Sequence, residues 1–171
     1  MREGVDIGPL ATEAQADRVR GFLDRASKHQ VRVLAQTDYE RELGSSYVPP
    51  TVLLARSEDE IAREEIFGPV LSILTYRDVD EAIAMANNSD FGLSGSIWTP
   101  DLDRAVQIAE RLETGTVGIN SKKILDFGSP FGGFRSSGLG RELGPEGLDA
   151  YLEASSILIP HQDEIQATDI T

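Results

Sequence analysis

Residues 64–70 hold the side chains best suited to chemistry. They read Glu-Glu-Ile-Phe-Gly-Pro-Val. Adjacent carboxylates cannot both face one site as a general acid and base unless the backbone bends, so Glu64 and Glu65 alone indicate two solvated charges. The Phe-Gly-Pro run that follows favours a turn. Such a turn could present the Glu65 carboxylate and the Phe67 ring on the same side of a loop.

A second candidate region is rich in glycine and aromatic residues. Glycines recur from Gly128 to Gly147, a density that usually marks backbone that turns tightly or approaches something closely. Phe127, Phe131 and Phe134 lie among them and are either core anchors or walls of an apolar pocket, core packing being the more common role. The Gly-Leu-Gly at 138–140 does not fit a dinucleotide fingerprint, because no strand leads into it and the glycine spacing fails.

Several other chemistries are disfavoured by composition. The chain has no cysteine, which excludes a disulfide framework and a thiolate metal site. Its two histidines, His29 and His161, are isolated, so neither a zinc site nor a catalytic histidine is predicted. A Gly-x-Ser-x-Gly elbow is absent from the sequence. We therefore predict neither a catalytic residue nor a metal ligand in this chain.

The charge balance narrows the range of partners. Sixteen Lys and Arg against 29 Asp and Glu give a formal net charge of −13. Such a surface repels nucleic acid and anionic membranes, so neither is expected as a partner. No apolar run is long enough to span a bilayer, and the first residues lack the apolar stretch of a signal peptide. We expect a cytoplasmic protein.

The elements that would position these residues follow from the hydrophobic pattern. An amphipathic helix is predicted over residues 11–28, where Ala16, Val19, Leu23 and Ala26 recur at helical spacing. Strands are predicted for five apolar runs, at residues 31–35, 51–54, 71–76, 93–98 and 116–119. The alternation of these strands with helices predicts an α/β fold with a parallel sheet.

Two further helix starts can be predicted from capping residues. Asp78, three residues before Glu81, forms a capping-box pattern, and Thr99 followed by Pro100 is expected to start the next helix. Near the end of the chain, a weak helix is predicted over residues 145–152 and a last strand over residues 155–159.

A series of motifs in fixed order carries a family resemblance. They are Gly8–Leu10, Glu64–Val70, Ala86–Asn88 with Phe91–Leu93, Gly115–Val117 with Asn120, Pro130–Gly133, and Ser137–Gly144. From Gly8 to about Pro160 the chain resembles the C-terminal portion of the aldehyde dehydrogenase superfamily. The resemblance implies a truncated portion of that family's three-layer, parallel-sheet catalytic domain at residues 1–152. It also implies an oligomerisation strand at 153–160, and we expect a disordered acidic tail at 161–171.

The resemblance also implies a function and site residues. The family oxidises an aldehyde to a carboxylic acid with NAD or NADP, through a nucleophilic cysteine and a general-base glutamate. Glu65 matches the glutamate that binds the nicotinamide ribose, and Phe67 matches the aromatic residue beside the nicotinamide ring. Phe131 and, less closely, Leu125 match the lining of the aldehyde pocket. Nothing in the chain distinguishes NAD from NADP or identifies the aldehyde.

The chain departs from the family pattern in what it lacks. The nucleophile, the general base and the Rossmann-type domain have no counterpart here, so weak or no cofactor binding and no activity are expected of this chain alone. We expect a homo-oligomer or pairing with a dehydrogenase subunit. The alternative is a non-catalytic interaction or regulatory protein that pairs with intact homologues.

Overall fold

The first helix of the chain organises its N-terminal half. The structure is a computed structural model that describes residues 6–38, 44–121, 123 and 125–159. Helix α1 (Glu13–Lys28) begins at Thr12, whose hydroxyl oxygen accepts a hydrogen bond from the Gln15 amide at 3.1 Å. Its buried stripe consists of Ala16, Val19, Phe22 and Ala26. The predicted helix is confirmed, although Phe22 rather than Leu23 completes the buried face.

Helix α1 packs on a three-stranded mixed sheet. The sheet contains β1 (Arg32–Gln36), β2 (Thr51–Leu54) and β3 (Val70–Ile73) in that spatial order. Strands β2 and β3 are parallel, whereas β1 pairs with β2 antiparallel. A short helix α2 (Glu60–Arg63) connects β2 to the segment that precedes β3.

The C-terminal half contains smaller pieces of sheet. In chain order its elements are α3 (Val79–Asn87), β4 (Phe91–Gly92), β5 (Ser94–Ile97), α4 (Leu102–Ala109), β6 (Thr116–Ile119), β7 (Phe134–Arg135) and a 3-10 helix (Pro145–Tyr151). Strands β5 and β6 are parallel, and β4 pairs with β7 antiparallel. The α/β fold is confirmed. Its strands nevertheless form three separate sheets within the described residues rather than one continuous sheet.

Two asparagine side chains tie these elements together. The Asn87 side chain accepts from the Glu113 amide at 2.9 Å and donates to the Arg111 carbonyl at 2.8 Å, which joins the end of α3 to the α4–β6 connection. Asn120, at the end of β6, binds both the backbone N–H and the carbonyl of Thr99, at 2.9 and 2.7 Å. Both residues belong to motifs that carry the family resemblance.

The start of α4 was predicted wrongly. The helix begins at Leu102 with Asp101 as its cap, whose carboxylate accepts from the Arg104 amide at 3.0 Å. The predicted cap, Thr99, lies two residues before Asp101, and its hydroxyl oxygen accepts a hydrogen bond from the Asp101 amide at 3.2 Å. By contrast, Asp78 caps α3 as predicted and accepts from the Glu81 amide at 2.9 Å.

Three further differences concern the glycine-rich end. Strands β4 and β7 were not predicted, since two-residue strands leave no hydrophobic pattern. The helix predicted at residues 145–152 is a 3-10 helix. Residues 155–159 form no strand pairing within the described part of the chain and are exposed, whereas Pro160 and the predicted tail at 161–171 lie outside the described residues. None of the helices in the described ranges is long and apolar enough to cross a membrane.

The main hydrophobic core lies between α1, β2 and the segment around α2. Its buried residues are Ala16, Val19, Phe22, Ala26, Val48, Leu53, Ala55, Ile61 and Ile66. In the second half, Ile83 on α3 and Ala105 on α4 are the buried apolar side chains of the described residues. Residues 64–70 therefore contact the main core through Ile66 and through Gly68, which lies against Val19.

Replacement of Gly68 tests this packing. A Cβ atom at Gly68 would lie 2.6 Å from one methyl carbon of Val19 and 3.0 Å from the other. Because valine is stiff and α1 is fixed, Gly68→Ala should lower the free energy of unfolding by about 1–3 kcal/mol. Urea denaturation measures the change.

Two controls accompany this prediction. Gly140→Ala should have little effect, since a Cβ at Gly140 meets nothing within 4 Å. Val19→Ala combined with Gly68→Ala should lose less than the sum of the two single changes, because the smaller side chain removes the clash. Strict additivity of the pair would contradict the proposed contact.

Candidate functional site

The segment from Glu64 to Gly68 alternates between solvent and core. Helix α2 ends at Arg63, and the chain continues in an extended conformation through Glu64. The Ile66 side chain is buried in the main core, whereas those of Glu65 and Phe67 are exposed, Phe67 to 71%. The buried residue fixes the position of the segment, and its two neighbours face outward.

Phe67 adopts a strained backbone conformation. Its φ of +52° lies in the left-handed region, which costs a residue other than glycine about 1–3 kcal/mol unless its surroundings impose it. Such a conformation reverses the chain direction between the buried Ile66 and the Gly68–Pro69 pair that leads into β3. The turn predicted from Phe-Gly-Pro is therefore confirmed, with the strain on the phenylalanine itself.

Side chains from α1 bind the backbone of this turn. The Arg18 guanidinium donates to the carbonyl oxygens of Ile66 at 2.7 Å and Glu65 at 2.8 Å. The Gln15 amide donates to the carbonyls of Phe67 at 2.8 Å and Ile66 at 3.1 Å. Three successive carbonyls are thus held by two side chains one helical turn apart. These bonds oppose the tendency of Phe67 to relax out of the left-handed region.

The arginine in this arrangement is itself oriented. The Arg18 guanidinium carbon lies 4.8 Å from the centroid of the Phe22 ring, and Arg25 lies over the same ring at 4.7 Å. A cation above an aromatic face is attracted by the quadrupole of the ring. Phe22 therefore helps to aim Arg18 at the turn while its ring fills the core. We refer to Gln15, Arg18 and Val19 as the α1 clamp.

The exposed side chains of the turn are free to bind a ligand. Within the described part of the chain, the Glu65 carboxylate forms no ion pair or hydrogen bond. A carboxylate accepts hydrogen bonds from neighbouring hydroxyls, as on a ribose, and an aromatic ring packs against a flat heterocycle. Both groups are therefore accessible to a ligand that carries hydroxyls beside a flat ring.

The predicted substrate-pocket residues lie together elsewhere. Leu125 and Phe131 line one pocket of about 250 Å³, with Thr116, Ser121, Lys123, Asp126, Ser129 and Pro130 as the other lining residues. Backbone bonds in both directions between Phe131 and Glu142, each 2.7 Å, fix one wall. Among the pockets found for the described residues, none is lined by both this pair and the Glu65–Phe67 pair.

The other two aromatic residues of the glycine-rich region do not anchor the core. Phe127 and Phe134 are exposed, which contradicts the more common role for such rings. The Phe134 ring lies 5.5 Å from the Arg141 guanidinium carbon and forms part of β7. The glycines of this region allow backbone segments to pack directly on each other, which leaves no space between them for large side chains. At Gly115, an added Cβ would lie against the carbonyl oxygen of Gly132.

A charged pair stabilises the loop that carries Leu125. The Lys123 ammonium contacts the Asp126 carboxylate at 2.6 Å, and the Gly128 amide donates to the same carboxylate at 3.0 Å. The Lys123 hydrogen bond is the larger cause and the Gly128 amide the next, and together they hold the pKa of Asp126 below its ordinary value. The ionised carboxylate thus helps to shape the pocket.

Sequence reasoning missed the α1 clamp. The apolar pattern of the predicted helix singled out neither Arg18 nor Gln15. The only pattern that indicated the clamp was the three-residue spacing of Gln15 and Arg18, next to the buried Val19. Side chains one turn apart share a helix face. Nothing in the sequence showed that this face meets residues 65–68, some 50 positions later.

Comparison with known proteins identifies the family to which the chain is similar. The model of the aldehyde dehydrogenase family matches residues 1–157. A geranial dehydrogenase of Castellaniella defragrans is 45% identical over 154 residues, which cover 90% of this chain and 32% of the relative. A betaine aldehyde dehydrogenase of Rhizobium leguminosarum is 39% identical over 162 residues, covering 93% and 33%. The chain spans about a third of the length of the curated relatives it matches.

Solved structures show the same likeness. An aldehyde dehydrogenase of Mycobacterium tuberculosis complexed with NAD+ superposes with a TM-score of 0.84 at 42% identity, over 90% of this chain and 32% of that chain. A betaine aldehyde dehydrogenase of Staphylococcus aureus in complex with NAD+ gives a TM-score of 0.82 at 30% identity, over 88% and 31%.

Removal of the arginine tests the α1 clamp. Arg18→Ala deletes two charge-assisted hydrogen bonds to carbonyls and should lower the free energy of unfolding by about 1–2 kcal/mol. Arg104→Ala is the control, since the Arg104 side chain is also exposed and forms no ion pair in the described part of the chain. Equal losses in the two variants, measured by urea denaturation, would show that the clamp contributes nothing.

A carboxylate titration tests the loop at the pocket. Because the pKa of Asp126 is lowered on folding, its stabilising contribution is present above the ordinary aspartate pKa and is lost as the pH falls through the folded value. Lys123→Met should raise the pKa of Asp126. Carbon NMR of the Asp126 carboxyl group measures its titration midpoint. A midpoint that does not move in this variant would exclude the lysine as the cause.

Proposed function

The chain belongs to the aldehyde dehydrogenase family, and we propose that it forms the C-terminal part of an NAD(P)-dependent enzyme that oxidises an aldehyde to a carboxylic acid. In this proposal Glu65 and Phe67 contact the cofactor, and Leu125 and Phe131 line the aldehyde pocket. The observation that carries it is the turn at residues 65–68, which α1 holds with the side chains of Glu65 and Phe67 exposed. A cofactor site needs such preorganised contacts.

The proposal assigns a specific role to each residue. The Glu65 carboxylate accepts hydrogen bonds from sugar hydroxyls and so orients the nucleotide. The Phe67 ring covers one side of the flat ring and excludes water from it. When bound, the nicotinamide supplies a hydride acceptor. Leu125 and Phe131 provide an apolar wall that favours an aldehyde over its hydrated form.

We further propose that the chain alone is inactive. The family route needs a thiolate nucleophile, and this chain contains no cysteine. Positioning side chains do not replace a missing nucleophile. In this proposal the thiolate, the general base and most of the cofactor site come from outside these 171 residues. On composition alone, we place this assembly in the cytoplasm.

A non-catalytic role in pairing with intact homologues is the second candidate. The observation that favours it is the run Ile157, Leu158 and Ile159, whose apolar side chains are exposed and unpaired in the described part of the chain. We propose that residues 153–160, the last of which lies outside the described residues, add as a strand to another subunit. Under this candidate, the chain would bind a full-length dehydrogenase without raising its activity.

Complementation distinguishes the two candidates. The chain is mixed with the part of the C. defragrans relative that it does not match, and NADH absorbance is followed with geranial. We expect activity from the mixture and none from either piece. A bound but inactive mixture, together with binding to intact homologues, would support the second candidate instead.

Substitution of two adjacent glutamates tests the proposed cofactor site. In the active mixture, Glu65→Gln should raise the KM for the cofactor about 10-fold, because the sugar hydroxyls would then donate to a neutral amide oxygen instead of a charged carboxylate. Glu64→Gln is the matched control, since Glu64 is the adjacent exposed glutamate. Similar KM values for both variants would remove Glu65 from the cofactor site.

A further inference from the structure

We propose that Lys123 and Asp126 determine substrate specificity by binding a hydroxyl group on the carbon chain of the aldehyde. The substrate class we infer is a short, neutral hydroxyaldehyde. The inference rests on the proposed function, because it takes the pocket of Leu125 and Phe131 as the aldehyde pocket. It names the class of aldehyde that this pocket receives.

The lining of this pocket is largely polar. It combines three apolar residues with five that carry hydroxyl or charged groups. The five polar ones are Thr116, Ser121, Lys123, Asp126 and Ser129. A polar group that loses contact with water and gains no hydrogen bond in return weakens binding. A wholly hydrocarbon chain should therefore bind less well here than a chain that carries polar groups.

The two charged groups of the lining hold each other in place. The Lys123 ammonium donates to Oδ2 of Asp126 at 2.6 Å, and the backbone N–H of Gly128 donates to Oδ1 at 3.0 Å. The Ser121 hydroxyl oxygen accepts from the Lys123 backbone N–H at 3.0 Å, which fixes the start of the same loop. A charged donor and a charged acceptor are thus preorganised side by side, which lowers the cost of binding a ligand.

Both groups retain hydrogen-bonding capacity for a ligand. An ammonium group has three N–H donors, and a carboxylate has about four lone-pair positions. The bonds within the loop use one donor of Lys123 and one lone pair on each Asp126 oxygen. The two side chains are 68% and 57% exposed, so the remaining donors and lone pairs are accessible.

The pair favours a neutral group that both donates and accepts hydrogen bonds. A hydroxyl can accept from Lys123 and donate its own proton to Asp126. A carboxylate on the substrate would meet the like charge of Asp126, and an ammonium group would meet the like charge of Lys123. The formal net charge of −13 further disfavours an anionic substrate.

The size of the pocket favours a short chain. Its volume is about 250 Å³, which is below the roughly 300–1,000 Å³ of pockets that bind drug-sized ligands. Leu125 and Phe131 offer apolar surface for a carbon chain, and the charged pair offers partners for a hydroxyl. An aldehyde of a few carbons with a hydroxyl on its chain satisfies both kinds of lining.

The test compares two substrates in the mixture of the full 171-residue chain with the part of the C. defragrans relative that it does not match. The probes are glyceraldehyde and propanal, which share a three-carbon chain and differ in two hydroxyls. The readout is the ratio of their kcat/KM values, measured by NADH formation with NAD+ supplied. Aldehyde hydration and the amount of folded enzyme cancel when this ratio is compared between variants.

Three variants of lysines give the expected outcomes. Lys123→Met should lower the ratio of glyceraldehyde to propanal about 10-fold, because a hydrogen bond from a charged donor to the hydroxyl is lost. Lys123→Arg keeps a cationic donor and should hold the ratio within about threefold of the unchanged chain. Lys28→Met is the matched control, since Lys28 is an exposed lysine at the end of α1; it should leave the ratio within about twofold. Equal changes in Lys123→Met and Lys28→Met would overturn the inference.

A second pair of probes tests the charge of the substrate. Succinic semialdehyde and butanal share a four-carbon chain, and the first ends in a carboxylate. Because Asp126 repels an anion, Asp126→Asn should raise the ratio of succinic semialdehyde to butanal at least about threefold. If the unchanged mixture prefers succinic semialdehyde over butanal more strongly than glyceraldehyde over propanal, the pocket binds an anion and the inference fails.

The outcome for the proposed function is read from the same assays. A mixture that oxidises these aldehydes with one glyceraldehyde-to-propanal ratio in all variants would support the proposed function and exclude Lys123 as a specificity-determining residue. A mixture that oxidises none of the aldehydes, geranial included, would contradict the proposed function and this inference with it.

Discussion

The contact between α1 and the turn at residues 65–68 fixes the position of the two side chains proposed to bind the cofactor. Phe67 lies in a strained, left-handed conformation, and the carbonyls around it are held by Gln15 and Arg18. Gly68 allows the turn to approach α1 closely because any side chain there would meet Val19. The strain is thus balanced by four hydrogen bonds and by packing that only glycine permits. The exposed positions of Glu65 and Phe67 are consequences of this contact.

The two halves of the chain differ in how many apolar side chains they bury. The main core is built by α1, β2 and the segment around α2, whereas the C-terminal half has few buried apolar side chains among the described residues. Its elements are joined largely by polar tethers such as those of Asn87 and Asn120. The turn and the pocket of Leu125 and Phe131 are thus held by separate parts of the fold.

Much of the fold followed from the sequence because its main elements have strong local patterns. The apolar stripe of α1, the β2 run and the Asp78 cap are all properties of neighbouring residues. The failures involve partners far away in the chain: Asn120 binds the backbone of Thr99, which was expected to cap α4, and β4 pairs with β7 more than 40 residues later. For the site, the motif indicated Glu65 and Phe67. The clamp that positions them was hidden, since the spacing of Gln15 and Arg18 indicates a shared helix face but not the distant carbonyls that this face meets.

The most direct test of this account is a nuclear Overhauser spectrum of the isolated chain. If α1 holds the turn, the Val19 methyl protons must show strong cross-peaks to the α-protons of Gly68, which the close approach of the two residues requires. The positive φ of Phe67 must also give a strong cross-peak between its own amide and α-proton. Absence of the Val19–Gly68 cross-peaks in the folded chain would contradict the account, because the side chains of Glu65 and Phe67 would then have no fixed position.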